Sequence, residues 1–263
     1  MGRNKAENDE AALDRAQEFI YDAWEAATAK RRVALAKKAL ATSPLCADAY
    51  VLLAGHAEQG SDEELDLWRR GVEAGKAALG EAFDEYAGSF WGFLETRPYM
   101  RARFGLAGAL WQRSARNEAI DHFRDMLRLN PGDNQGIRYV LAAYLVEAER
   151  DEDLAALLAE YPEDGAAAWI WTAALAAFRR GGDDEESRKL LAEAVASNKH
   201  VPSYLLGERR LPKEMPPFIG FGDEDEAIYY VSEFRGGWAL TPSALDWLRT
   251  QAPARRSRRS KPQ

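Results

Sequence analysis

The chain has 263 residues, 46% of them hydrophobic, and a formal charge of −8, a composition that supports a packed core in one domain or one elongated array. Its single cysteine, Cys46, excludes an internal disulfide framework and paired-cysteine metal sites. No run approaches the roughly 18 apolar residues that a bilayer span needs, and the opening MGRNKAENDE lacks the apolar centre of a signal peptide, so the expectation is a cytoplasmic protein without membrane insertion.

Residues 1–10 are polar and are expected to be disordered. From residue 11 onward apolar side chains recur at spacings of three and four, and strand signals are almost absent. AALDRAQEFIYDAWEAA and RRVALAKKALATSP read as a first helix pair, the second helix carrying Ala36 and Ala39 and closing on Pro44. The next pair has Tyr50, Leu53 and Ala54 in its first helix and Leu67, Trp68 and Gly71 in its second. An insertion follows at 81–99, where Phe83, Tyr86, Phe90, Trp91 and Phe93 are too many aromatics for a free loop. It reads as an extended second helix plus a packed connection. A third pair spans RARFGLAGALWQRSARNEAIDHFRDMLRLNP. Leu106, Leu110 and Trp111 mark one face of its first helix; Ala119, Phe123, Met126 and Leu127 mark one face of its second. Ser114 and Asn117 bracket the turn. Such a pair cannot bury its apolar faces alone and needs neighbours on both sides.

NPGDNQGIRY, Asn130 to Tyr139, comes next. A phosphate-binding loop needs four residues between its glycines, then Lys and Ser or Thr, after a strand. Here three residues separate Gly132 from Gly136, Ile137 follows, and no strand precedes. The stretch reads as a corner: Pro131 cannot continue a helix, Gly132 permits the turn, and Asp133 caps the next helix. Gly136 then falls inside a helical first turn, where close approach of the preceding helix would explain it. A fourth pair supplies Tyr144, Leu154, Leu158 and Pro162, and a fifth Trp169, Ala173, Leu191 and Ala194. Residues 199–250 form a helical cap, with Thr241 expected as an N-cap and Pro242 at the first helical position. The tail from 251 to 263 holds four arginines, one lysine and no acid, so the other 250 residues carry −13. It is expected to be disordered.

The third pair resembles a tetratricopeptide repeat, a helix-turn-helix unit of 34 residues. Leu106 and Ala107 match its leucine and small residue, Ala119 the small residue at the helix crossing, Phe123 the aromatic, and Pro131 the closing proline. Met126 stands where alanine is usual. The resemblance implies an all-α fold: a right-handed α-solenoid of about five tetratricopeptide-like helix pairs over 11–198, closed by the C-terminal cap. A narrower resemblance covers Glu95 to Leu248. ETRPYMRAR, MLRLNPGDNQGIRY, HVPSYLLGERRLP and GDEDEAIYYVSEF are similar to bacterial tetratricopeptide proteins and to the soluble part of the suppressor of tumorigenicity seven family. The animal members of that family are membrane-associated and carry hydrophobic spans. This chain has none, so membrane residence does not carry over, and the resemblance implies no enzymatic activity.

No catalytic constellation is legible. His56, His122 and His200 lack metal-ligand spacing, and the acidic run Asp223–Glu226 fits a helix N-terminus better than a calcium loop. Neither a cofactor nor a metal site is expected. In this repeat type the first helices line a concave groove. Its expected wall comprises Arg101, Phe104, Gly108 and Trp111 in the third pair and Gln135, Arg138 and Ala142 in the fourth, with Arg97, Tyr99 and Tyr139 close by in sequence. Arginine's planar fork suits carboxylates, so the expected partner is a peptide or protein with an acidic segment. The alternative is that these arginines pair with internal acids such as Glu95 or Glu147. Phe104 and Gly108 depart from the lysines and asparagines of a chaperone-tail clamp. The reading is a non-catalytic interaction scaffold. The alternatives are a regulatory protein touching nucleic acid through its arginine tail, or an enzyme with an unrecognised site. Truncation after Thr250 should leave the melting temperature nearly unchanged, because the tail buries almost no apolar surface; a drop of several degrees in a thermal melt would show the arginines docked on the acidic body.

Overall fold

The computed structural model describes residues 2–251, with side chains from residue 8 onward. Every regular element among them is helical. The chain divides into two compact units, Met1–Arg138 and Tyr139–Gln263.

The first unit contains α1 (Gly2–Glu25), α2 (Ala29–Thr42), α3 (Ala47–Ala54), α4 (Asp62–Leu79), α5 (Ala82–Glu85), a 3-10 turn at Phe90–Gly92, α6 (Arg97–Gln112) and α7 (Arg116–Leu129). Helix α1 reaches back to Gly2, where disorder was expected over 1–10. No proline or internal glycine interrupts residues 3–25, and helix propagation past a formed nucleus is cooperative. The starts of α2 and α4 follow from their caps: Thr28 accepts from the Arg31 amide and Ser61 from the Glu64 amide. Helix α4 ends at Gly80, whose φ of +53° breaks the helix. The expected extension of this helix into the insertion is therefore absent; α5 and the 3-10 turn take its place.

Consecutive helices pack in chain order: α1 on α2, α3 on α4, α6 on α7, with α4 also lying along α6. Ile20, Ala36, Ala39, Cys46 and Ala49 close the first cluster. Leu65, Leu106, Leu110 and Ala119 form another, flanked by Trp68 and Trp111. Small residues set the α4–α6 separation. A methyl group at Gly75 would meet the Tyr99 backbone Cα at 2.9 Å, and one at Gly105 would fall inside the Trp68 ring. Burial pushes the Cys46 thiol up to about 11, so it stays protonated and unreactive at neutral pH.

One ion pair joins three of these helices. Asp48, the second residue of α3, has 0% exposure. Its two oxygens accept from Arg101 Nε at 2.8 Å and Arg101 Nη2 at 2.6 Å, and a third bond comes from Gln17 Nε2 on α1 at 3.1 Å. The guanidinium also lies 5.5 Å over the Trp24 ring of α1. Both carboxylate oxygens are thus satisfied in the bidentate geometry that only arginine supplies.

The second unit contains α8 (Ile137–Glu147, beginning at the boundary), α9 (Asp151–Glu160), α10 (Ala167–Gly181), α11 (Glu185–Ser197), α12 (Val201–Leu205), α13 (Glu224–Leu240) and α14 (Ala244–Gln251). Asp184 with Ser187 makes a reciprocal capping box for α11, and Asp223 caps α13. Arg179 on α10 donates to Thr241 Oγ1, the Val146 and Gly237 carbonyls and Asp151, which ties α8, α9 and α13 to α10. Glu226, nearly buried, accepts from the Ala167 and Gly222 amides and from Asn198 Nδ2. Trp171, Tyr230, Phe234, Trp238 and Trp247 stack or meet edge-on around this frame.

Two boundaries in this unit differ from expectation. Thr241 does not begin a helix: it closes α13, its hydroxyl donating to the Gly237 carbonyl, and α14 starts at Ala244 after Ser243 at φ +62°. The hydroxyl is drawn to Arg179, which leaves Pro242 in the turn. Gln251, expected in the disordered tail, instead completes α14 and hydrogen-bonds Asp183; the expectation for residues 252–263 lies outside the described residues.

Two mutational outcomes follow from this packing. Arg101→Ala leaves a fully buried carboxylate with only Gln17 and should cost about 3–5 kcal/mol. Asp48→Asn leaves an arginine still 31% exposed, free to turn to water, and should cost about 1–2 kcal/mol. Urea unfolding measures both, and equal losses would contradict the asymmetry. Gly75→Ala should destabilise by about 1–2 kcal/mol net, because the clash is with Tyr99 backbone and overpacking of about 1–3 kcal/mol exceeds alanine's helix gain of about 1 kcal/mol.

Candidate partner-binding groove

A concavity of about 420 Å³ opens on the first unit. Its lining comes from several elements: Val51 of α3, Trp68 of α4, Trp91 of the 3-10 turn, Arg101, Phe104 and Gly105 of α6, and Gln135 and Ile137 at the corner that leads into α8.

The insertion places Trp91. Thr96 donates to the Phe90 and Phe93 carbonyls, the Gly88 amide donates to the Leu129 carbonyl, and the Trp91 amide donates to Asn130 Oδ1 at 3.2 Å. The aromatic turn is thus fastened to the end of α7. Phe83, Phe90 and Tyr99 pack edge-on beneath it. Trp68 owes its position to Gly105, since any side chain there would displace the indole.

The corner at 130–136 places Gln135 and Ile137. Asp133 sits at φ +44° and Gly136 at φ +71°, so the left-handed backbone falls on these two residues and not on Gly132. Gly136 precedes α8; its glycine requirement is conformational and not the helix approach expected from sequence. The Asp133 carboxylate accepts from the Ile137 amide at 2.7 Å, the Arg138 amide at 3.0 Å and Arg138 Nη1 at 2.9 Å. An aspartate of the chain itself thus occupies the anion-binding end of the helix, the place a phosphate would take.

The structure brings some of the expected groove residues together and separates others. Arg101 and Gln135 both line the concavity. Gln135 Oε1 is buried and has no hydrogen-bond partner. Arg97 stands behind Trp91, its Nε donating to the Trp91 carbonyl at 3.2 Å and its guanidinium 5.3 Å from the ring. Tyr99 is buried between Phe83 and Phe90 and its hydroxyl accepts from Arg103 at 2.5 Å. Trp111 packs beside the Leu65–Leu106–Leu110 cluster, with the Arg116 guanidinium 5.0 Å from its ring. Arg138 holds Asp133. Tyr139 belongs to the second unit, where its hydroxyl donates to Asp164 at 2.8 Å. Two of these arginines pair with acids of the chain itself, Arg101 with Asp48 and Arg138 with Asp133.

Sequence reasoning did not select Val51, Trp68, Trp91 or Ile137 as groove walls. A tryptophan facing a glycine across two helices was the available signal for Trp68. None was available for Trp91, whose place depends on a contact 39 residues away.

Arg103 makes a separate polar cluster, donating to His122 Nδ1 at 3.2 Å and pairing with Asp125. Burial, and secondarily the charge of Arg103, holds His122 below its ordinary range. A cation fixed against a histidine nitrogen keeps the imidazole neutral as an acceptor, and the cluster serves to join α6 to α7. Among the described residues no helix is long and apolar enough to cross a membrane.

No family model matches the chain, and no solved structure matches it. Among curated proteins, it is 27% identical to the "Protein ST7 homolog" of Caenorhabditis elegans, over 88% of this chain and 49% of that protein. It is 28% identical to the "Suppressor of tumorigenicity 7 protein" of Macaca fascicularis and of Mus musculus, over 78% of this chain and 42% and 39% of theirs. The chain spans less than half the length of these relatives. Over most of its own length the chain is similar to the suppressor of tumorigenicity 7 proteins.

Proposed function

We propose that this protein is a non-catalytic interaction module, a tetratricopeptide-type scaffold that holds a peptide segment of a partner in the groove of its first unit. The groove's composition carries the reading: Trp68, Trp91 and Phe104 present aromatic surface beside Gln135. Apolar walls with a few fixed polar groups are the usual chemistry of a recognition site, and the Gln135 amide is the polar lining group that a peptide backbone would pair with. Phe104 is 41% exposed, an unusual state for a phenylalanine on a packed helix. Arg101 lines the site; its Nε and Nη2 are committed to Asp48, and its Nη1 is the donor left for a carboxylate near the apolar side chains of a bound segment. Burial of Leu106, Ala107, Ala119 and Phe123 at the repeat-matching positions supports the tetratricopeptide reading.

The test uses a random peptide library selected on the full chain. Bound sequences should combine aromatic or aliphatic anchors with an acidic residue. Phe104→Asp should weaken them at least tenfold, since burying such a ring contributes roughly 1.5–3 kcal/mol and 1.4 kcal/mol is one decade. Gln135→Ala should weaken them by about two- to tenfold, the range of one hydrogen bond. Selected peptides that bind both variants as well as the parent, with unchanged circular dichroism, would place recognition elsewhere.

A further inference from the structure

We propose that the segment held in the groove is proline-rich: an extended polyproline II stretch of a partner protein, laid across the aromatic lining beside an acidic residue. This assignment rests on the groove reading above and names the chemistry of its occupant. The side chains that line the groove offer hydrogen-bond donors and no accessible acceptor. Val51, Phe104, Gly105 and Ile137 bring no polar side chain. Trp68, Trp91 and Arg101 carry donors only. Gln135 alone carries an acceptor, and that oxygen is buried, so its NH2 is the end that a ligand meets. Two main-chain carbonyls of lining residues already accept: Val51 from the Gly55 amide at 3.0 Å and Trp91 from Arg97 Nε at 3.2 Å.

This imbalance selects among peptides. An ordinary segment brings an N–H at every residue. Each one buried against such a lining goes unpaired, which weakens binding by about five- to a hundredfold. Proline has no N–H, and the polyproline II helix makes no internal hydrogen bonds, so its carbonyls stay available. An α-helix also hides its N–H groups, but it spends its carbonyls doing so and leaves the donors of the lining unanswered. Those donors are present. The Trp91 indole N–H has no hydrogen-bond partner among the described residues, and the Gln135 NH2 stands beside it in the lining. The Trp68 indole is already turned to Glu64 at 3.4 Å. Arg101 Nη1 remains for the acidic residue.

The aromatic surface also runs beyond the concavity. Arg101 and Phe104, three residues apart, share one face of α6 and both line the groove. The Arg101 guanidinium lies 5.5 Å from the Trp24 ring of α1, and Trp24 lies 5.6 Å from Tyr21. Trp24 is 48% and Tyr21 56% exposed. A compact ligand would fill only the 420 Å³ concavity, whereas a chain that advances about 3.1 Å per residue can follow the strip onto α1. Aromatic-lined grooves take proline rings well, and a segment already extended loses little entropy on docking.

Calorimetric titration of the full chain with a blocked oligoproline of about ten residues, three turns of the extended helix, tests this. The peptide should bind saturably, with a dissociation constant below about 1 mM. Phe104→Asp should abolish binding. Trp91→Phe keeps a ring and removes the N–H; it should weaken binding about two- to tenfold, and it serves if circular dichroism shows that the Phe104 variant does not fold. Replacing every third proline by alanine restores N–H groups and should weaken binding at least about fivefold. N-methylalanine at the same places restores none and should recover most of that loss. An oligoproline that does not bind, a Trp91→Phe chain that binds it unchanged, or an alanine peptide as tight as the N-methylalanine one would each overturn the proposal. If library-selected peptides bind the groove and the oligoproline does not, the proline assignment fails while the groove stands; if neither binds, both fail.

Discussion

A carboxylate taken wholly out of water must find its charge partner inside the protein, and at Asp48 that requirement fixes three helices at once. The acid sits in the first turn of α3, its partner comes from α6, and the amide that completes its shell comes from α1. Desolvating an unpaired carboxylate is costly enough that α6 must present Arg101 at this depth or α3 cannot be buried there. Arg101 has a second consequence: it also lines the groove. The residue that fastens the helices thus reaches the candidate site with its charge already paired to Asp48.

The second unit solves the same problem with backbone acceptors. Arg179 spends its donors on two main-chain carbonyls, a threonine hydroxyl and Asp151, while Glu226 takes up amides at the start of α10 and before α13. Buried charges in both units therefore connect helices that periodicity alone would leave free to slide. Dispersion and apolar burial supply most of the stabilisation; the charged groups select one register among several with similar contact area.

The groove follows from the spacing of α4 and α6. Glycines at 75 and 105 allow the helices close enough for Trp68 to lie across Gly105, and Trp68 lines the concavity. The insertion contributes Trp91 to the same lining. A packing detail thereby becomes the candidate recognition site, with Gln135 as its polar lining group.

The sequence by itself determined the all-helical class, the helix pairs α1–α2, α3–α4, α6–α7 and α10–α11, and the corner at 130–139, because these depend on interactions within a few residues: apolar spacing, a proline stop, an aspartate that caps. Even there it misjudged which residue bends. The left-handed backbone falls on Asp133 and Gly136, since Asp133 must turn its carboxylate onto the amides of the helix that follows. It placed Arg101 and Gln135 in the groove but also Tyr99 and Trp111, which pack among helices, because a spacing rule names a face without saying how much of that face a neighbour covers. Only the tertiary structure decided that Arg101 meets Asp48, 53 residues away, and that Trp91 lines the site. Such pairings arise where helices cross, and a crossing is fixed by side-chain volumes and buried charges from several segments at once, information that no single stretch of sequence contains.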